Sequence, residues 1–231
     1  MDSVEFKRAK LTQWKLRRRF TQITSDLGAS EATVEEWANK FIERYTEPQR
    51  HYHNLTHIYS MLECLDANRT LVKNLSALTL AILFHDWVYD PKAKDNEKES
   101  IKCFQQFAHE IELSDSLSSR VADYIERTIT HTMPTPEDSM VDTDLKLFLD
   151  FDLEVLSRDD EQYAQYSKQI QAEYTHMEPN DYYAGRAQIL RRFLDRDRIY
   201  FSELFYRGWE QKARANIKQE IDALEGKNHT L

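Results

Sequence analysis

LSALTLAILF, residues 75–84, differs from its neighbouring segments because it is apolar on nearly every face that a helix would present. A helix of this kind lies at the centre of a protein, with other helices packed around it. The longest near-apolar run in the chain, Ala77–Phe84, is far shorter than the ~20 residues that a membrane span needs. We therefore expect a core built around this segment, and we expect the residues that follow it to be held rigidly.

The rest of the chain shows the 3.6-residue spacing of apolar side chains that is typical of helices, with no convincing alternating strand. Proline-containing breaks such as Glu47-Pro48 and Asp90-Pro91 separate the helical stretches. The predicted helices are 4–26, 31–45, 53–68, 71–87, 95–112, 115–131, 140–156, 159–176 and 180–224, the last interrupted near Arg198–Ser202. The predicted fold class is all-α, a single-domain helical bundle of about nine helices.

The composition agrees with this fold class. The 231 residues include only 4 Gly and 5 Pro, whereas average usage would give about 28 of the two together. This scarcity argues against a turn-rich β-sandwich and against a glycine-looped nucleotide fold. A hydrophobic fraction of 41%, with 12% aromatic residues, can fill a core and argues against intrinsic disorder. The length favours one domain over residues 1–231, with an N-terminal helix in 1–30.

The charge balance limits the classes of partner. Lys and Arg number 31 against 40 Asp and Glu, so the net charge is −9 and a general nucleic-acid binder is disfavoured. Residues 1–20 hold seven basic side chains against Asp2 and Glu5, which we interpret as a solvated basic helix face. The two cysteines, Cys64 and Cys103, and the lack of an apolar signal segment predict a cytoplasmic protein without a disulfide framework or a membrane partner.

His85 and Asp86 follow the apolar segment directly, which is an unusual place for an imidazole and a carboxylate. Burying an ionisable pair without partners costs several kcal/mol. The pair is therefore mutually satisfied, exposed by the end of the helix, or coordinated to a cation. The dipeptide alone leaves these three alternatives open.

Two further segments contain residues of the types that bind metals. RHYHNLTHI, residues 50–58, contains three histidines, and the i,i+4 spacing of His53 and His57 predicts that they share one helix face. Such a pair can bind a metal, although it can also be a satisfied surface pair. Asp150 and Asp152 lie among apolar residues, where a carboxylate favours a cation; helix capping or exposure is the alternative.

The order of His57, His85-Asp86 and Asp152 in an all-helical chain resembles the HD superfamily of metal-dependent phosphohydrolases. More narrowly, the chain is similar to a bacterial group described as predicted metal-dependent HD phosphohydrolases, over a family-like core of residues 37–220. The matching segments are Arg50-x-Tyr52-His53-Asn54-x-x-His57-Ile58, Phe84-His85-Asp86-x-Val88-Tyr89-Asp90-Pro91, Asp95-Asn96-Glu97-x-x-Ser100, Leu149-Asp150-x-Asp152-Leu153 and Ala213-Arg214-Ala215-Asn216-Ile217.

The resemblance implies one divalent ion held by His57, His85, Asp86 and Asp152. His57 is preferred over His53 because Asn54-x-x-His57 matches the family's arrangement before the first ligand. Two nitrogens and two carboxylate oxygens suit a transition metal better than Ca²⁺ and leave positions for water and a phosphate oxygen. We expect Mn²⁺, with Fe²⁺, Co²⁺, Ni²⁺ or Mg²⁺ as alternatives.

The resemblance also points to residues that handle a proton. Several HD nucleotidases place a glutamate three residues after the motif aspartate, where this chain has Tyr89. Asp90 instead matches the aspartate that HD alarmone hydrolases place after the motif, and Glu97 lies nearby. Asp90 and Glu97 are therefore the predicted catalytic carboxylates. The alternative for Asp90 is a turn residue at the end of a helix, before Pro91.

Arg50, His53 and His131 are the predicted substrate-binding residues. Arg50 has the planar fork that can bind a phosphate through two hydrogen bonds, although most arginines are only solvated. His131 resembles a histidine that HD proteins place beside the substrate phosphate. A helix C-terminus also suits a cationic histidine, so a purely structural role for His131 stays open.

The predicted function is hydrolysis of a phosphate ester or pyrophosphate bond in a small phosphorylated metabolite, with nucleotides foremost. One alternative is an HD-type di-iron oxygenase, which needs two further histidines, and His109 and His131 lie in the required interval. The other is a catalytically inactive binding or regulatory module, because fold alone does not establish activity.

Overall fold

A computed structural model describes residues 3–133 and 142–228, and all regular structure in these two ranges is helical. The all-α prediction is therefore confirmed. There are ten described α-helices where nine were predicted, because the expected interruption near residues 198–202 separates the last two. The helices are α1 (Ser3–Asp26), α2 (Glu31–Arg44), α3 (Leu55–Ala67), α4 (Leu75–Phe84), α5 (Asn96–Glu110), α6 (Asp115–Arg127), α7 (Thr143–Asp152), α8 (Asp160–Glu173), α9 (Pro179–Leu194) and α10 (Glu203–Asn228).

The described residues form two compact units, with α1–α6 in the first and α7–α10 in the second. Each unit is described by itself. The assignment of residues 1–231 to a single domain stays a prediction.

In the first unit α4 is the central helix. Every residue from Ala77 to Phe84 is buried, which confirms the expectation from the apolar segment. Aromatic rings from other elements pack around its C-terminal end: Phe84 stacks on Trp87 with ring centroids 4.6 Å apart, and it also stacks on Phe107 at 5.1 Å. These rings hold the segment after α4 against the core. No helix in the described ranges has both the length and the apolar character that crossing a membrane requires.

Short polar side chains fix the starts of α3 and α4. Asn54 has an extended backbone and accepts a hydrogen bond from the Thr56 amide at 2.8 Å, so α3 begins at Leu55. Asn74 accepts from the Ala77 amide at 2.9 Å at the start of α4. These caps set the register of two helices that lead to the candidate site.

In the second unit a buried aspartate caps the last helix. The Asp150 carboxylate on α7 accepts hydrogen bonds from the amides of Phe201 at 2.7 Å and Ser202 at 2.9 Å, just before α10. Burial raises the pKa of Asp150 to about 6, against the lowering effect of these hydrogen bonds. Asp150 is therefore a helix-capping residue, which was one of the two alternatives for the aspartates of this segment.

Candidate metal centre

His85 is the first residue after α4, and the end of the helix fixes its ring. Its amide donates to the Ala81 carbonyl at 2.9 Å, which continues the helical hydrogen bonding. Its Nδ1 lies 3.0 Å from the Ile82 carbonyl oxygen. Because a carbonyl oxygen only accepts, Nδ1 donates and holds the proton of the neutral ring. The other nitrogen, Nε2, then has the lone pair that a metal ligand needs.

His57 lies in the first turn of α3 and is buried. Its Nε2 is 3.2 Å from Nε2 of His85, although the two residues are 28 positions apart. The Asn54 cap determines this placement because it fixes where the helix begins. The structure therefore brings together two of the predicted metal ligands through the ring nitrogens that commonly bind metals.

Asp86 adds a carboxylate oxygen to the two histidines. Its Oδ2 is 3.1 Å from Nε2 of His85 and 3.6 Å from Nε2 of His57. This oxygen is buried and accepts no hydrogen bond from any described residue. Burial acts to raise the pKa of Asp86, but the nearby imidazoles of His85, His53 and His57 outweigh it and hold the pKa below its ordinary value. The carboxylate is therefore charged at neutral pH.

These three atoms fit a divalent cation. Two ligand atoms that each lie about 2.1 Å from one ion, about 90–110° apart, are about 3.0–3.4 Å from each other. Two of the observed separations, 3.1 and 3.2 Å, lie in that range, and the third, 3.6 Å, lies just above it. A single proton can link only one of the three pairs, whereas a cation interacts favourably with all three atoms. A buried carboxylate oxygen without a hydrogen bond also favours a cation.

The predicted fourth ligand, Asp152, is the last residue of α7 in the second unit and is half-buried. His57, His85 and Asp152 each offer one side-chain atom of the kind that can hold a metal ion. Asp150, two positions earlier, uses both carboxylate oxygens at the start of α10. Of the two aspartates in this segment, Asp152 therefore remains the metal-ligand candidate.

Arg50 lies inside the first unit. Its side chain has no exposed surface, and its guanidinium donates to backbone carbonyls of His53 at 3.0 Å, Asp86 at 2.7 Å and Trp87 at 3.0 Å. The Nε atom donates to a Glu47 carboxylate oxygen at 3.0 Å. Because these groups occupy four of the five N–H bonds, the geometry disfavours the predicted contact with a substrate phosphate.

His53 does not share a helix face with His57, so that expectation was wrong. The chain at Asn54 is extended and α3 starts after it, which leaves His53 in the preceding turn. Its half-exposed ring stacks on Tyr89 with centroids 4.4 Å apart and lies 6.0 Å from the His57 ring. His53 thus borders the cluster and is half-exposed, a position compatible with its predicted contact to substrate.

Of the two predicted proton-handling carboxylates, Asp90 lies on the segment between α4 and α5, and Glu97 lies in α5. Asp90 is exposed, and its Oδ1 accepts from the Lys92 amide at 2.9 Å. The Asp90 amide donates to the Asn96 side chain, which donates back to the Asp90 carbonyl. This is the geometry of a turn residue. Glu97 lies half-buried in the first turn of α5, and its catalytic role stays a prediction.

His131 lies outside a helix, because α6 ends at Arg127 and not at the predicted residue 131. Its backbone is in the left-handed region with φ of 48°, and its amide donates to the Arg127 carbonyl at 2.8 Å. His131 therefore lies directly after the C-terminal end of α6 and satisfies a carbonyl of its last residue, and its predicted contact with substrate stays a prediction. His109 is exposed in the last turn of α5.

Tyr52 and Tyr89 are aromatic neighbours of the cluster for which the sequence suggested no role. The Tyr52 ring lies 5.0 Å from the rings of both His53 and His57. Tyr89 is buried beneath His53. Both tyrosines belong to the motif segments, and that membership was the only signal available in the sequence.

Comparison with protein-family models, curated proteins and solved structures finds no match to this chain. The identification with HD-type proteins therefore stays a prediction from the motif segments. The geometry of His57, His85 and Asp86 is independent of that resemblance, because it follows from distances and burial in the first unit alone.

Proposed function

We propose that this protein is a metal-dependent phosphohydrolase that acts on a phosphate ester or pyrophosphate bond in a small phosphorylated metabolite. The observation that supports a metal is the buried triangle of His57 Nε2, His85 Nε2 and Asp86 Oδ2, with sides of 3.1 to 3.6 Å. The reaction class rests on the resemblance of the motif segments to HD phosphohydrolases. Nucleotides are the first substrate class to test.

The proposed ligands are His57, His85 and Asp86, with Asp152 as the fourth. Mn²⁺ is the first metal to test, because two imidazoles with carboxylates suit a transition metal. When bound, such an ion supplies a Lewis acid for a phosphoryl oxygen and lowers the pKa of a water molecule.

The chain's own residues prepare this site. The hydrogen bond from His85 Nδ1 to the Ile82 carbonyl orients the ring so that Nε2 faces His57 and Asp86. His53 borders the cluster and is half-exposed, so we assign it a contact with the substrate phosphate. The stacked Tyr89 ring limits the orientations that His53 can adopt.

The alternative of a di-iron oxygenase gains no support from the first unit. It requires two more histidines as ligands, and one of the candidates, His109, is exposed at the end of α5. The other, His131, lies in the turn after α6. An inactive binding module is a possible outcome of the experiment below.

The test is metal analysis of purified protein, followed by removal of metal and assay with added Mn²⁺. Substrates are p-nitrophenyl phosphate, bis-p-nitrophenyl phosphate and a panel of nucleotides and other phosphorylated metabolites. We expect hydrolysis that needs Mn²⁺ and is lost in Asp86→Asn but kept in Asp66→Asn, an exposed aspartate paired with Arg19. Full activity of the metal-free enzyme would contradict the proposal, and Mn²⁺ binding without hydrolysis of any substrate would favour an inactive module.

A further inference from the structure

Arg50 connects the two segments that contain the proposed metal ligands of the first unit. It precedes α3, which holds His57, and its Nη1 donates to the carbonyls of His53 and Asp86. Its Nη2 donates to the Trp87 carbonyl at 3.0 Å. The same guanidinium group thus binds the backbone of both segments.

The carbonyls of Asp86 and Trp87 follow the end of α4, where the regular helical hydrogen bonds have stopped. Carbonyls at such a point need partners from elsewhere when they are buried. Arg50 supplies charge-assisted donors to both, and such bonds are about twice as strong as neutral ones. The backbone of Asp86 is therefore held at its carbonyl, one residue after His85.

Two tyrosine rings enclose the guanidinium. The Arg50 guanidinium carbon lies 4.9 Å from the centre of the Tyr45 ring and 5.4 Å from that of the Tyr89 ring. The Tyr45 hydroxyl donates to the Leu83 carbonyl at 3.1 Å, in the last turn of α4. Tyr89 in turn stacks on His53. A continuous series of contacts therefore runs from the end of α4, through Tyr45, Arg50 and Tyr89, to His53 at the border of the cluster.

Glu47 balances the charge of the buried arginine. Its Oε2 accepts from Arg50 Nε at 3.0 Å and from the Gln49 side chain at 3.0 Å. Gln49 also donates to the Tyr89 carbonyl at 3.1 Å. Gln49 and Arg50 thus bind three backbone carbonyls in the segment after α4, those of Asp86, Trp87 and Tyr89.

From these contacts we infer that Arg50 is a positioning residue that fixes the Asp86 carboxylate relative to His57, and that it does not bind substrate. The inference rests on the proposed function of the cluster. Lysine cannot replace this arginine, because one ammonium group lacks the planar fork that reaches three carbonyls and one carboxylate. Outer partners that orient metal ligands typically change metal affinity by about 10- to 100-fold when they are mutated.

The experiment measures Mn²⁺ binding by calorimetry in metal-free Arg50→Lys, without substrate. We expect Mn²⁺ affinity to fall about 10- to 100-fold and the visible absorption of bound Co²⁺ to change, because the Asp86 oxygen moves. Arg186→Lys is the matched control, since Arg186 is a buried arginine that pairs with Glu220 in the second unit. It should keep wild-type Mn²⁺ affinity even where thermal unfolding shows a loss of stability.

Enzyme kinetics separate positioning from substrate binding. The activity of Arg50→Lys should rise towards the wild-type value as Mn²⁺ is increased, with the substrate KM nearly unchanged. A raised KM together with wild-type Mn²⁺ affinity and Co²⁺ absorption would overturn the inference and would show that Arg50 binds substrate. If Arg50→Lys does not fold, Glu47→Gln is the second variant, and a loss of Mn²⁺ affinity in the same direction is expected; unchanged affinity would overturn the inference.

The outcome for Arg50 is distinct from the outcome for the proposed function. If the wild-type protein hydrolyses phosphate esters with Mn²⁺ while Arg50→Lys binds Mn²⁺ normally, only the inference about Arg50 fails. If the wild-type protein binds no divalent metal, the proposed function fails and the inference fails with it.

Discussion

Both units of the protein bury charged side chains, and two clusters can be compared. In the second unit the Glu220 carboxylate accepts from the Tyr163 hydroxyl at 2.6 Å, from the Ser167 hydroxyl at 2.9 Å and from Arg186 Nε at 3.0 Å. Arg186 also donates to the Tyr166 hydroxyl at 3.1 Å. In the first unit the Asp86 Oδ2 atom, which is also buried, accepts no hydrogen bond from the described residues.

The difference shows how two buried carboxylates can have different purposes. Glu220 has donors on both oxygens and a cationic partner, so the cluster is complete without a ligand. Asp86 instead faces two imidazole nitrogens at 3.1 and 3.6 Å, and a cation would complete the set. The number of hydrogen-bond donors around the carboxylate therefore distinguishes a structural cluster from a candidate metal site. Burial of the carboxylate alone does not distinguish them.

The largest expected effect is the loss of metal and activity in Asp86→Asn. Removing the charged oxygen leaves two imidazoles, so we expect Mn²⁺ affinity to fall about 100-fold or more and hydrolysis to fall at least as much. The free energy of unfolding of the metal-free protein should fall by less than in a variant that loses the Glu220 carboxylate, because removing the Asp86 charge leaves no buried arginine without a counter-ion. Calorimetry with Mn²⁺ and urea unfolding measure the two quantities; a large loss of stability with normal Mn²⁺ binding would contradict the comparison.

Glu220→Gln should have the opposite pattern. The change leaves the Arg186 charge buried without a counter-ion, so we expect the free energy of unfolding to fall by about 3 kcal/mol. Mn²⁺ affinity of the folded protein should stay within about twofold of wild type, because Glu220 has no role in the proposed site. Urea unfolding and calorimetry under native conditions check both statements. A loss of Mn²⁺ binding in the folded variant would make this cluster part of the site.

The pH dependence of stability gives a third test. Burial acts to raise the pKa of Glu220, but its ion pair with Arg186 and the hydrogen bonds from Arg186, Tyr163 and Ser167 lower the pKa overall. A lowered carboxyl pKa contributes stability above the unfolded-state value of about 4.3, and this contribution is lost as the pH falls through the folded-state pKa. The stability difference between wild type and Glu220→Gln should therefore shrink below about pH 4.3. Urea unfolding at several pH values measures it, and a difference that grows on acidification would show the opposite sign.

The smallest expected effect concerns Asp90. Asn at this position can keep the hydrogen bond from the Lys92 amide, so Asp90→Asn should leave kcat within about threefold of wild type. Glu97→Gln is the comparison variant. A fall in kcat of about 100-fold in Asp90→Asn, with normal Mn²⁺ binding, would restore the catalytic role that the resemblance suggested.

Much of the fold could be predicted from the sequence, and less of the site. The apolar segment 75–84 gave the central helix, and its end gave the place of His85 and Asp86. The spacing of His53 and His57 misled because a capping asparagine between them starts the helix late. Arg50 binds backbone carbonyls up to 37 residues away, and no local pattern reveals a partner of that kind.

A crystal structure of the Mn²⁺-loaded protein, with anomalous scattering used to locate the ion, tests the central claim most directly. We expect one Mn²⁺ at about 2.0–2.3 Å from Nε2 of His57, Nε2 of His85 and an Asp86 oxygen. The same map would show whether Asp152 is the fourth ligand. An ion bound elsewhere, with the three atoms joined only by hydrogen bonds to each other or to water, would contradict the claim.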